Sequence, residues 1–230
     1  MPFPSSISGF KSNPLIVSLL FLIAAGLFSS GCKSEPEAIG SSFTDTFDGP
    51  CLRNYWHDTI GRYAVIDGKL NINGAYNHPL WLKYALPVEV TIEFDARSLT
   101  KDGDIKVELF GDGRSFAFNR GAYVASGYVL CMGGWGNTKT FIARQAEHAQ
   151  NLLVTTAVKV TTGKIHHNKI ESFMEGSHLI INWFIDGKLA LSMRDKNPLY
   201  GRKNRWFGFS NWSSDVWFDN LMITPRAKKP

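Results

Sequence analysis

The stretch His178-Leu-Ile-Ile-Asn-Trp-Phe-Ile185, followed by Asp186-Gly187 and then Lys188-Leu-Ala-Leu-Ser-Met193, decides the fold class. Asp-Gly favours tight two-residue turns whose twist matches that of the paired strands. Closing the loop at Asp186 and Gly187 sets Phe184 opposite Leu189 and Ile180 opposite Met193 on one face, which reads as core. The alternate residues Ile181, Trp183 and Ile185 are apolar as well, so the hairpin is expected to be covered on both sides or to line a groove.

Four more Asp-Gly pairs begin at Asp48, Asp67, Asp102 and Asp112. The pair at Asp67 joins Tyr63 to Ile66 with Lys69 to Ile72 in a second hairpin. Further strands are expected at Leu80 to Leu86, Val88 to Ser98, Asp104 to Phe110, Gly127 to Met132, Lys139 to Arg144, Lys164 to Phe173, Arg205 to Asn211 and Asp215 to Thr224. Only Ala143 to Leu153 suits a short helix. Many short strands with turn chemistry between them predict an all-β, two-sheet antiparallel sandwich. No internal repeat is present.

The opening Phe43-Thr-Asp-Thr-Phe47-Asp48-Gly49, then Val65-Ile-Asp-Gly-Lys-Leu70, Phe184-Ile-Asp-Gly-Lys188, Gly208-Phe-Ser-Asn-Trp212 and Val216-Trp-Phe-Asp-Asn-Leu221 resemble the concanavalin A-like jelly-roll superfamily. Within it the chain looks most like the bacterial domain known as 3-keto-disaccharide hydrolase, related to laminin G and family 16 glycoside hydrolase domains. The resemblance spans nearly the whole mature chain and rests mostly on turn and core signals. It implies a jelly-roll fold, a sugar-related role, and first and last strands lying side by side in one sheet.

The N-terminus gives an address. Lys11 precedes the apolar run Leu15 to Phe28, and Ser29-Ser30-Gly31-Cys32 follows. That core is shorter than the roughly 20 residues a spanning helix needs and ends in small residues, as a cleaved signal does. Gly31 and Cys32 match a bacterial lipobox, although Ser29 stands where Leu is usual. Residues 1–31 are therefore expected to be a signal peptide and Cys32 the lipidated residue. Several acyl chains anchor stably where one does not, at about 0.8 kcal/mol per buried methylene. Residue 33 is Lys rather than the Asp that retains lipoproteins at the inner membrane of enteric bacteria. The expected location is thus the cell envelope, at the outer membrane of a Gram-negative bacterium. An ordinary secretory signal with an incidental cysteine is the alternative.

Residues 32–42 read as the lipidated cysteine and a flexible tether, 43–225 as the sandwich, and 226–230 as a basic tail. About 185 residues suffice for one core and not comfortably for two. Removing residues 1–31 takes away Lys11 alone, lowering the formal net charge from +5 to +4. So weak and dispersed a charge excludes nucleic acid as a partner. Arg226, Lys228 and Lys229 could touch anionic lipid or polysaccharide, or simply be solvated. With Cys32 acylated, Cys51 and Cys131 are the only remaining pair. They could form a disulfide in an oxidising envelope or stay two separate thiols.

Enzyme chemistry finds partial support. Family 16 glycosidases carry a Glu-x-Asp-x-Glu strand, whose alternation puts three carboxylates on one side. Here Glu93-Phe-Asp95-Ala-Arg97 has Arg in the third position, so a standard retaining mechanism lacks a carboxylate. Glu93 and Asp95 share a face, and Glu108 would join them if its strand paired with theirs, at separations glycosidases use. A solvated face of mixed charge is the other reading. No Gly-x-Ser-x-Gly elbow, phosphate-binding glycine loop or His-Glu-x-x-His is present. His166 and His167 point to opposite faces of a strand and cannot chelate one ion. No cofactor is expected beyond a structural Ca²⁺ that Asp48 and Asp219 could help hold, two donors where the ion takes six to eight.

Binding finds more. The chain has seven tryptophans, and Trp81, Trp135, Trp206, Trp212 and Trp217 sit beside polar residues. A sugar ring offers C–H groups to an aromatic face and hydroxyls to polar groups, so such interleaving suits carbohydrate. In Met132-Gly-Gly-Trp135-Gly-Asn137 the glycines allow close approach while Trp135 supplies a stacking surface. Tyr128 and Arg144 would flank the same cleft, with Trp81, Trp212 and Asn137 as further contacts. Many of these tryptophans could equally fill the core. Non-covalent carbohydrate binding is the expected function, glycoside hydrolysis the second, and a structural or adhesion domain meeting an envelope protein partner the third.

Overall fold

A computed structural model of the chain describes residues 37–119, 123–150 and 152–227. The signal segment, Cys32, Lys228 and Lys229 lie outside the described residues. The strands are β1 (Phe43–Asp45), β2 (Trp56–His57), β3 (Tyr63–Ile66), β4 (Lys69–Asn73), β5 (Leu80–Leu82), β6 (Val90–Ser98), β7 (Ile105–Gly111) and β8 (Tyr128–Gly133). After a four-residue turn, α1 (Gly134–Asn137), come β9 (Lys139–Arg144), β10 (Leu153–Thr155), β11 (His166–Glu175), β12 (His178–Ile185), β13 (Lys188–Asp195), β14 (Trp206–Ser210) and β15 (Asp215–Pro225).

They form two antiparallel sheets packed as a jelly-roll sandwich. The first runs β13-β12-β11-β6-β15-β4-β3, with β1 also on β15, and the second β10-β9-β8-β7-β14-β5-β2. The first and last strands are paired, Phe43 opposite Ile223, as the resemblance implied. The Asp67-Gly68 hairpin has the expected register, Val65 opposite Leu70 and Tyr63 opposite Ile72.

The Asp186-Gly187 hairpin begins as expected, with Phe184 opposite Leu189, and then departs. A bulge between Trp183 and Phe184 shifts the register, so Ile181, not Ile180, faces Met193. The core face of β12 is Leu179, Ile181, Trp183 and Ile185, an unbroken alternation on the side opposite to the one expected. The extra residue is Ala190 of β13, and across it that strand passes from an exposed Leu189 to a buried Leu191. Phe184 lies on the outer face under the Lys169 ammonium, 5.7 Å from the ring centroid.

An aromatic cluster locks the sheets together. Phe209 of the second sheet lies 4.4 Å from Phe218 and 5.5 Å from Phe94 of the first, measured between ring centroids. Phe207 and Trp56 complete the shell at 4.9 and 5.7 Å. Edge-to-face and tilted rings at such distances add to plain area burial.

Three expectations are corrected. Among the described residues from Ala143 to Leu153 there is no helix: Lys139–Arg144 is a strand, and Leu153 already begins β10. The end of the expected tether belongs to the domain, since Ile39 is buried in the core and its N–H donates to the Ala85 carbonyl at 3.0 Å. Arg226 is held rather than free, 3.3 Å from Glu171 Oε2 and over the Phe173 ring.

Truncating Phe209 to Ala leaves a void between the sheets and is expected to cost about 3–5 kcal/mol. Urea unfolding monitored by tryptophan fluorescence measures this, and a loss below about 1 kcal/mol would show that the aromatic cluster is not the seam of the sandwich.

Candidate functional site

The two outer faces differ in kind. Along β6 burial alternates strictly, so Thr91, Glu93, Asp95 and Arg97 look outward and are half-buried. Every residue of β7 and β8 is buried, because loops cover the outer face of the second sheet as well. Ile105, Val107 and Leu109 face the main core, which leaves Lys106 and Glu108 pointing into the covered outer side. Val129, Cys131, Phe141 and Ala143 form a small apolar cluster there.

Lys106 organises that face. Its ammonium is 2.9 Å from Glu147 Oε2, donates to Asn77 Oδ1 at 2.8 Å, and lies 3.8 Å from Asp104 Oδ1. Asn77 in turn donates to Glu147 Oε1 at 3.0 Å. Burial works against the lysine's charge, but Asp104 and Glu147 outweigh it and raise its pKa. Burial opposes ionisation of Glu147 too, yet Lys106 holds its carboxyl below the ordinary range. At Asp104 burial prevails over Lys106 and pushes the carboxyl up. Asp104 accepts from the Trp212 backbone N–H and, at 3.3 Å, from the Cys131 thiol. Asn211 keeps the neighbouring loops in place, accepting from Ala75 N–H at 2.8 Å and donating to the Ser214 carbonyl at 2.6 Å.

Above this floor opens a cavity of about 460 Å³, lined among others by Asn77, Asp104, Lys106, Trp135, Glu147 and Trp212. Trp135 stands at its edge, 40 % exposed, with its ring 4.6 Å from Phe141 and 5.9 Å from His148. Its backbone is left-handed (φ 49°), as are those of Gly133, Gly136 and Asn137, so α1 is a left-handed turn that tips the indole over the cavity. Glycine at 133 and 136 makes that path accessible. Glu108 lies beneath, with the Tyr123 hydroxyl 2.8 and 2.9 Å from its two oxygens. Burial, only partly offset by Tyr123 and Lys106, pushes its pKa up to about 8.

The structure brings together two of the expected contacts, Trp135 and Trp212, and separates the rest. Tyr128 is an inner-face residue whose hydroxyl donates to Asp195 Oδ2 at 2.6 Å, and Arg144 Nε meets the same oxygen at 2.9 Å. The three groups clasp one sheet to the other at the sandwich edge. The Asn137 amide is consumed by Val160, donating to its carbonyl at 2.7 Å and accepting its N–H at 2.9 Å. Trp81 is fully buried on the outer face, where side chains at Gly111 or Gly208 would collide with its ring. Its indole N–H donates to the Ser115 carbonyl at 3.0 Å.

The carboxylate constellation is also corrected. β6 and β7 belong to different sheets, so Glu93 and Asp95 lie on the opposite side of the sandwich from Glu108. Asp95 pairs with His167 Nδ1 at 3.0 Å and accepts from Asn220 at 2.8 Å; Glu93 is 3.9 Å from the same histidine. Cys51 is exposed and Cys131 buried, and both are free thiols, so the disulfide is not formed. Asp219 carries a salt bridge to Lys69 at 2.6 Å, and Asp48 accepts from Thr46 Oγ1 at 2.6 Å. Among the described residues no group of three or more His, Cys, Asp or Glu could hold a metal ion. His166 is buried and His167 exposed, on opposite faces as expected.

Sequence reasoning missed Lys106, Asp104, Asn77 and Glu147. One local signal was available: Ile105-Lys-Val-Glu-Leu109 alternates, which puts Lys106 beside Glu108. Asn77 and Glu147 sit in loops and carry no periodic signature.

No family model matches the sequence, and no curated protein matches it. Solved structures do. The chain is similar to the carbohydrate binding module CBM66 from Bacillus subtilis, with 17 % identity over 76 % of this chain and 99 % of that one, TM-score 0.52. It is similar to alginate lyase Aly36B, 13 % identical over 84 % of this chain and 100 % of that one, TM-score 0.53. It is also similar to the Crh5 transglycosylase in complex with NAG, 9 % identical over 84 % of this chain and 87 % of that one, TM-score 0.57. At such identities the likeness establishes the fold alone, a jelly-roll sandwich.

Glu108 keeps its proton in the fold up to about pH 8, whereas an unfolded chain releases it near the ordinary value of about 4.3. Its stabilising effect is therefore complete below that value and lost as pH rises toward 8. Wild type is expected to lose stability relative to Glu108→Gln between about pH 5 and 8, by at most about 1.4 kcal/mol per pH unit. Denaturant midpoints across that range test it, and parallel curves would place the proton elsewhere.

Proposed function

We propose that this protein is an envelope lipoprotein, anchored through acylated Cys32, whose sandwich binds carbohydrate non-covalently in the cavity on the outer face of the second sheet. The observation that carries the binding role is Trp135, a half-exposed indole tipped over a concave polar floor. The apolar face of a sugar ring packs against such an indole, and its hydroxyls meet buried, pre-oriented donors and acceptors. Here those are Asn77, Asp104, Lys106 and Glu147, already fixed by one another. A cavity of about 460 Å³ has the size of a small-ligand site, which runs from roughly 300 to 1,000 Å³. The likeness in fold to a carbohydrate binding module and to glycan-acting enzymes supports the same reading.

A second reading is hydrolysis of a glycoside, of the 3-keto-disaccharide type that the sequence resemblance implies. It draws on one feature: the cavity holds two carboxyls shifted in opposite directions, Asp104 upward and Glu147 downward. Pairs split in this way serve as acid and base in many sites. Against it, both Asp104 oxygens already accept hydrogen bonds and Glu147 is neutralised by Lys106.

A glycan array probed with the detergent-solubilised full chain, followed by mass spectrometry of each retained ligand, separates the readings. Intact ligand supports binding, and cleaved ligand supports hydrolysis. Trp135→Ala is expected to weaken the retained glycan about tenfold, the worth of one aromatic contact; unchanged affinity would put the site elsewhere. For the anchor, Cys32→Ser is expected to move the protein from the membrane to the soluble fraction, and a variant still sedimenting with membranes would refute acylation there.

A further inference from the structure

A second hollow adjoins the first. It has a volume of about 310 Å³ and is lined by the small residues Gly61, Gly74, Ala75 and Ala117. One segment serves both: Asn77 lines the first cavity, while Tyr76 and His78 line the second. The Tyr76 ring meets Trp212 edge-on at 5.2 Å, forming the partition between them. The Ala117 N–H donates to the Asn77 carbonyl at 2.8 Å and hangs the far wall on the same segment.

Two apolar side chains bound this hollow, and neither is placed there by packing. Phe118 is 93 % exposed and Ile60 86 % exposed. Phe118 ends a ladder of rings, with His78 to Phe116 at 4.9 Å and Phe116 to Phe118 at 6.4 Å, the planes inclined by 32° and 28°. Ile60 has φ 66°, held by its N–H donating to Asp58 Oδ1 at 2.6 Å. A β-branched residue in the left-handed region is a backbone outlier, and burial does not compensate it here. Strain that presents a side chain to solvent points to a ligand as its cause.

We propose that this hollow is a second carbohydrate subsite, and that the protein binds an extended glycan chain running from Trp135, past the Tyr76–Trp212 partition, to Phe118 and Ile60. The proposal rests on the carbohydrate-binding reading of the first cavity and names its ligand class, an oligosaccharide rather than a single terminal sugar. The ladder offers the face of a ring, and among the described residues Arg62 is the charged side chain lining the hollow, suited to hydroxyls or a uronate. Two exposed apolar side chains are far short of the roughly 1,200 Å² that a stable protein interface buries, which disfavours a protein partner at this spot.

The test uses the full chain in detergent and a set of neutral and uronate-containing oligosaccharides, each from mono- to hexasaccharide, titrated calorimetrically. Affinity is expected to rise with chain length. Phe118→Ala should weaken the longer chains about fivefold, within the worth of one aromatic contact, and leave mono- and disaccharides unchanged. Ile60→Asn, which suits the left-handed backbone, should weaken long chains while holding or raising the thermal unfolding midpoint, a pattern that damage to the fold cannot produce. If both variants bind every length as wild type does while Trp135→Ala still loses affinity, the second subsite is refuted and the first stands. If wild type binds no member of the set, both are refuted.

Discussion

The ammonium of Lys106 is almost wholly buried on the floor of the cavity, and the shape of the candidate site follows from that constraint. A buried charge costs several kcal/mol unless paired and hydrogen-bonded. Lys106 projects from the start of β7, on the outer face of the second sheet, and its partners come from outside that strand. Glu147 arrives from the loop after β9, Asn77 from the connection between β4 and β5, and Asp104 from the residue before β7. Answering one charge thus draws two distant loops onto the sheet, and the space they enclose with Trp135 and Trp212 is the cavity.

The opposite side of the sandwich shows what happens without such a constraint. Glu93, Asp95, His167 and Asn220 also meet there. They do so on an uncovered sheet face, where water competes for each group and surface pairs contribute little, about 0–1 kcal/mol. The contrast is one of burial: similar residue types make a solvated face on one sheet and a fixed, buried cluster on the other.

Much of the scaffold was legible because its signals are local. The Asp67-Gly68 and Asp186-Gly187 turns are read from two residues each, and alternation in Val90–Ser98 needs only the strand itself. Trp135 was legible for the same reason, since an indole between glycines has little to do in a core. The errors lie where a neighbour from far along the chain decides. Both faces of β12 are apolar in sequence, so the sheet packed against it decides which is core, and Tyr128 turned out to clasp Asp195 rather than flank a cleft.

The sequence by itself determined the class of fold, the hairpin turns, the alternation of β6 and the candidacy of Trp135, because turn chemistry and a period of two act over a few residues. Only the tertiary structure decided that β6 and β7 lie in different sheets, which dissolved the grouping of Glu93, Asp95 and Glu108. It alone decided that Cys51 and Cys131 stay apart, one at the surface and one beneath the cavity. It alone gathered Lys106, Asp104, Asn77 and Glu147, since which loops cover a sheet depends on long-range packing and on where a buried charge finds its partners.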